Sequence, residues 1–134
     1  MPLFIWSDAL ATGNSFMDDE HHLLVERVDA VLEAIAKGRA SALLRSAIND
    51  LVVYTRAHFG QEEAHMQRIH FAGLEAHKED HANLLKQLDA LQQDLDAGSH
   101  ISAMDLYNFL TRWVKNHIVN FDTQLAAALK EAPG

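Results

Sequence analysis

The sequence predicts an all-α fold: an antiparallel up-down-up-down four-helix bundle behind an extended N-terminal arm. Three observations carry this expectation. Glycine and proline number only six and two in 134 residues, so little in the chain interrupts helix. Apolar residues recur at spacings of three and four through four long segments, the period of a helix with one buried face. The links between those segments are short, which makes consecutive helices antiparallel neighbours.

Residues 1–17 lack the helical period and include Gly13, Asn14 and Ser15, so they read as an arm whose Trp6 packs on the bundle. The first helix is expected from near Asp18, where Asp18, Asp19 and Glu20 suit the positive end of its dipole. It turns His21, Leu24, Val28, Val31 or Leu32, and Ile35 inward and stops at Lys37-Gly38. The second opens near Ser41 and buries Leu44, Ile48, Leu51, Thr55, His58 and Glu62. After a break at Phe71-Ala72-Gly73, the third carries Leu74, His77, His81, Leu84, Leu88, Leu91 and Leu95, ending at Ala97-Gly98. The fourth starts near Ser102, with Asp105 three residues on as in a capping box. Its stripe is Leu106, Leu110, Trp113, His117, Phe121 and Leu125. No repeat or linker divides the chain, which reads as one domain over residues 1–134.

The totals narrow the function. A net charge of −8 offers no basic face for nucleic acid. With no cysteine, thiolate catalysis, iron–sulfur clusters and zinc fingers are out, and strong metal ligation falls to nitrogen and oxygen. The apolar start Met1-Pro2-Leu3-Phe4-Ile5-Trp6 is too short for a signal peptide or a membrane span, so a cytoplasmic protein without membrane insertion is expected. No long exposed apolar stripe calls for a protein partner, and a monomer is the default.

Nine histidines stand out, five of them in phase with the leucine stripes. His58 and Glu62 are four apart, as are His77 and His81, and residues four apart diverge by only about 40° around a helix. In an up-down-up-down bundle the start of helix one, the end of two, the start of three and the end of four share one end. His21, His58, Glu62, His77, His81, His117 and Asp122 all fall within roughly 5 to 20 Å of it, at the helical rise per residue. Buried together they need cations, because no Lys or Arg lies on those stripes to neutralise the carboxylates. The donors exceed what one ion takes and suit two ions sharing carboxylates, with iron or manganese ahead of zinc or copper. Asp122 lies five residues after His117, an offset of about 140° on a regular helix, so either a local π-turn or a reach from the flank is required.

The residues Trp6, DDEHHLL from Asp18, Tyr54 with HFGQEE at 58–63, Met66, HKEDH at 77–81 and WVKNHIVNFD at 113–122 resemble the hemerythrin family. In length and arm the chain is similar to its single-domain bacterial members, the bacteriohemerythrins. The resemblance implies two iron ions, cycling between Fe2+ and Fe3+ and bridged by an oxo or hydroxo group. His77, His81 and His117 would complete one, His21 and His58 would hold the other, and Glu62 and Asp122 would bridge them. It also implies dioxygen as the ligand at the iron with two histidines, in a pocket of Phe59, Trp113, Val114 and Ile118. Val114 stands where the family pattern leads one to expect leucine, a smaller side chain that should loosen the lid. Ala72 stands near a link position the family fills with proline.

The expected function is therefore reversible dioxygen binding for storage, delivery or buffering, not catalysis. The same site could serve an oxygen or redox sensor with a separate signalling partner. Glu62 with His65 also forms an ExxH, half of a ferritin-like signature, which keeps a ferroxidase or peroxidase as the weakest reading. The remaining polar residues have bland assignments. Glu63 is surface or outer support, Tyr54 orients a ligand or is simply core, and Asp18 and Asp19 serve the helix start. His22 points away, while His70 and His100 fall in links.

Overall fold

A computed structural model describes residues 4–37, 41–98 and 101–131, without the side chains of Ser41 and Ala42. Its helices are α1 (Ser15–Ala36), α2 (Ser41–Arg68), α3 (Leu74–Asp96), α4 (Ala103–His117) and α5 (Thr123–Glu131), with a π turn at Ile118–Asp122 joining the last two without a break. Helix α1 packs on α2 and α4, and α2 packs on α3, the neighbour pattern of a four-helix bundle. No helix among the described residues is long and apolar enough to cross a membrane. Gly38, expected at the first helix stop, and His100, expected in a link, lie outside the described residues.

Most inward positions are those the spacing predicts: Leu24, Val28, Val31, Leu32, Ile48, Leu51, Leu84, Leu88, Leu110 and Leu125 are all fully buried. Helix α4 differs. Trp113 and Phe121 are only half-buried, while Val114 and Ile118 are closed off. A period of 3.6 drifts across steps of four, so the stripe passes from Leu110 to Val114 and leaves Trp113 at its flank.

Helix α1 starts three residues before the expected Asp18, because Asn14 caps it: its side-chain oxygen accepts from the Met17 N–H at 3.0 Å. Asp18 instead ties the arm down, accepting from the Thr12 N–H and hydroxyl at 2.8 Å each. The arm is less extended than its lack of period suggested. It contains a 3-10 turn at Asp8–Leu10, buries Phe4 and Leu10, and stacks Trp6 on His22 with ring centres 3.9 Å apart. The Phe4 N–H also donates to Asp29 Oδ1 at 2.8 Å.

The turn from α2 to α3 sets the depth at which the two halves of the histidine cluster meet. His70 holds a left-handed φ of 54°, its N–H donates to Gln67 O at 3.2 Å and the Phe71 N–H donates to Met66 O at 2.9 Å. That is a Schellman C-cap, a motif glycine normally supplies, which is why the histidine was legible only as a link residue. At Gly73 an added Cβ would meet the Phe71 ring at 2.8 Å, so a side chain there would push that ring aside. His70→Gly is expected to relieve backbone strain and raise stability by up to ~1 kcal/mol, read as a higher urea midpoint with unchanged slope. A lower midpoint would contradict the cap assignment.

Candidate metal centre

Five imidazoles and two carboxylates from all four arms of the bundle converge in its interior. His21 comes from the start of α1, His58 and Glu62 from the last turns of α2, His77 and His81 from the start of α3, and His117 from the end of α4. All are at most 3% exposed, and Asp122 joins them fully buried. The π turn brings it there: of the two routes open from spacing alone, the chain takes the inserted residue, which rotates Asp122 onto the face of His117. The same shift leaves Phe121 at the flank, stacked on the His117 ring with centres 5.6 Å apart.

The two carboxylates straddle two groups of nitrogens. Glu62 Oε1 lies 3.0 Å from His81 Nε2 and 3.3 Å from His77 Nε2, while its Oε2 lies 2.9 Å from His58 Nε2 and 3.5 Å from His21 Nε2. Asp122 Oδ1 is 3.1 Å from both His77 and His117 Nε2, and its Oδ2 is 2.9 Å from His21 Nε2. One side thus gathers His77, His81, His117 and an oxygen of each carboxylate. The other gathers His21, His58 and the two remaining oxygens.

Two observations show that this arrangement fits cations. Atoms bonded at about 2.1 Å to an octahedral ion stand about 3 Å apart, the spacing seen here. The second concerns lone pairs. His81 Nδ1 contacts Glu63 at 2.9 Å and His117 Nδ1 contacts Asp80, so in neutral rings those nitrogens carry the proton and donate it. Their Nε2 atoms are then bare acceptors, yet they face each other at 3.2 Å, and His77 Nε2 faces His117 Nε2 at 3.3 Å. On the other side, His21 Nε2 and His58 Nε2 are buried facing only carboxylate oxygens, Asp122 Oδ2 and Glu62 Oε2, at 2.9 Å each. Acceptors packed this way repel unless protons or metal ions sit among them. The donor set, nitrogen and oxygen without sulfur, fits a di-iron site.

The outer carboxylates were the part least visible in the sequence. Glu63, left open as surface or support, is the partner of His81. Asp80 was not singled out, although it lies three residues after His77 and one before His81, within reach of the facing helix. Glu20, read only as a dipole residue, accepts at 3.4 Å from His58 Nδ1. Tyr54 anchors Glu20 by donating to its backbone oxygen at 2.6 Å, so its orienting role is indirect. His65 stays outside the cluster, resting edge-on against Phe16, so the Glu62–His65 ExxH does not act as a ligand pair. His22 and His70 lie elsewhere, as expected.

In the metal-free cluster the charges resolve by protonation. Burial alone would depress His21, but the hydrogen bonds its ring donates to the Asp122 and Glu62 carboxylates overcome it and push its pKa up to about 9. His77 and His117 move the same way for the same reason. Burial opposes ionisation of Glu62, yet the surrounding imidazoles hold it well below the usual carboxylate range. A raised histidine stabilises the fold fully below its ordinary value of 6.5, and that contribution disappears as pH climbs through about 9. The urea midpoint of metal-free protein should therefore fall across this window. Metal-loaded protein should stay flat, since bound metal has already displaced the protons. Parallel curves for the two forms would contradict this account.

Comparison with known proteins agrees with the geometry. The model of the hemerythrin HHE cation binding domain matches residues 12–129. The chain is similar to the bacteriohemerythrin of Pseudomonas aeruginosa, 30% identical over 132 residues that cover 98% of this chain and 85% of that protein. It is 31% identical to the bacteriohemerythrin of Methylococcus capsulatus over 91% of this chain and 93% of that one. A crystal structure of wild-type hemerythrin superposes with a TM-score of 0.87 at 29% identity, covering 95% of this chain and 98% of that chain. A leucine-to-alanine variant gives 0.88. This chain belongs to the hemerythrin family of non-haem di-iron, oxygen-binding proteins.

Proposed function

We propose that the chain binds dioxygen reversibly, as a store, carrier or buffer rather than as an enzyme. Its ligands would be His77, His81 and His117 on one iron and His21 and His58 on the other, with Glu62 and Asp122 shared. The supporting observation is the inequality of the two sides: three histidines meet on one and two on the other, with Glu62 common to both. With fewer histidines, the side of His21 and His58 would be the one with room for dioxygen. A reduced iron pair would supply the electrons that hold dioxygen there.

The chain's own residues make that binding reversible. Outer carboxylates fix the direction in which each of His58, His81 and His117 points its free nitrogen. Phe59, 1% exposed, lies parallel to His81 with ring centres 3.6 Å apart and meets Trp113 edge-on at 6.0 Å. Val114 and Ile118 are likewise buried in the apolar cluster that contains Phe59. These four form the proposed dry pocket. Val114 is closed off from solvent, and its side chain, smaller than the leucine of the family pattern, would leave this pocket looser. Excluding water here suppresses proton delivery and loss of the bound ligand.

Iron-loaded, reduced protein should develop a visible charge-transfer band in air and lose it under argon through repeated cycles. Conversion to a stable oxidised form with release of hydrogen peroxide would contradict reversible binding. His77→Ala should lose iron, while His22→Ala, away from the cluster, should retain it. Val114→Ala should speed autoxidation and destabilise the fold by ~2–3 kcal/mol through lost methyl burial and a cavity.

A further inference from the structure

The five clustered histidines are not equally braced. On the side of His77, His81 and His117, two of the three rings meet a carboxylate at the nitrogen turned away from the centre. His81 Nδ1 lies 2.9 Å from Glu63 Oε2, and His117 Nδ1 contacts Asp80. On the side of His21 and His58 the bracing is slack. His58 Nδ1 reaches Glu20 Oε1 only at 3.4 Å, past the usual range of an N–H···O bond. Glu20 is also shared, since the Tyr54 hydroxyl approaches its Oε2 at 3.3 Å. His21 Nδ1 is buried without a hydrogen-bond partner among the described residues, as is His77 Nδ1. The difference follows the helices: Glu63 braces α3 from α2 and Asp80 braces α4 from α3, whereas Glu20 alone answers from α1.

We propose that Glu63 and Asp80 are positioning residues that make the three-histidine position fill first and hold its ion harder, leaving the ion beside His21 and His58 the exchangeable one. The inference rests on the ligand division proposed above and adds an order of loading to it. A carboxylate that accepts from Nδ1–H fixes the ring with Nε2 toward the centre, and it makes that nitrogen a stronger donor to a cation. His117 Nε2 stands 3.2 Å from His81 Nε2 and 3.3 Å from His77 Nε2, so a cation there meets three aligned nitrogens and ends their mutual repulsion. At the other position a cation meets two nitrogens, one on a loosely braced ring and one on an unbraced ring, and must bear the cost of ordering them. Loss of the exchangeable ion removes the dioxygen position and leaves the three-histidine ion to hold the bundle. Dioxygen binding is thereby tied to the supply of iron.

The test is calorimetric titration of metal-free, full-length protein with Co2+ under argon, with the visible bands of the bound ion recorded at each addition. The wild type should take up two ions in two steps, the first about tenfold tighter or more. Asp80→Asn and Glu63→Gln keep an acceptor but remove its charge, so each should loosen the first step by about tenfold to a hundredfold and narrow the gap. Glu20→Gln should loosen the second step and widen the gap. His81→Ala should lose the tight step and His58→Ala the weak one. Two steps of equal affinity, or both ions entering in one step, would overturn the order of loading. Asp80→Asn loosening both steps alike would overturn it too, since that is the result of a merely structural role. An end point of one ion in the wild type would instead overturn the ligand division on which the inference rests.

Discussion

The bundle depends on one constraint: two carboxylates and five imidazoles share a volume from which water is excluded. Removing ionised groups from water costs several kcal/mol each unless opposite charge replaces the solvent. Here the geometry leaves two ways to supply that charge, protons on the histidines or metal ions between them. The carboxylates are arranged for the second, each presenting one oxygen to either side. Metal binding and folding are therefore coupled, since the layer that crosses the bundle middle is repulsive when it is both deprotonated and empty of cations.

Everything around the layer serves to hold it dry and in register. The π turn inserts one residue at 118–122 so that Asp122 can share the face of His117, a local departure from α geometry that sets its carboxylate between His21 and His77. Glu20, Glu63 and Asp80 come from helices facing the histidines they brace, so each ligand direction is set across a helix–helix contact rather than along one helix. Apolar clusters above and below the layer keep water from competing. Three histidines on one side and two on the other make the layer unequal, and the proposed dioxygen binding rests on that asymmetry.

Six of the seven clustered residues were legible because each lies in phase with its leucine stripe, and a polar residue in phase with a core is costly unless it has a partner. Depth was legible from helix direction alone. What spacing could not decide was Asp122, where a π turn and a reach from the flank were equally open. The outer carboxylates were illegible for a different reason. Asp80 and Glu20 lie out of phase on their own helices, and their worth depends on a histidine 37 or 38 residues away. The turn inside the arm and the capping conformation of His70 were not legible because a three-residue 3-10 turn and a left-handed non-glycine cap carry no periodic signal.

The central claim is the unequal sharing of seven side chains between two metal positions. A crystal structure of the iron-loaded protein, with anomalous scattering recorded at the iron edge, tests it most directly. The account predicts two iron peaks, one bonded to His77, His81 and His117, the other to His21 and His58, with Glu62 and Asp122 bonded to both. A single peak, or two peaks with equal numbers of histidines, would contradict it.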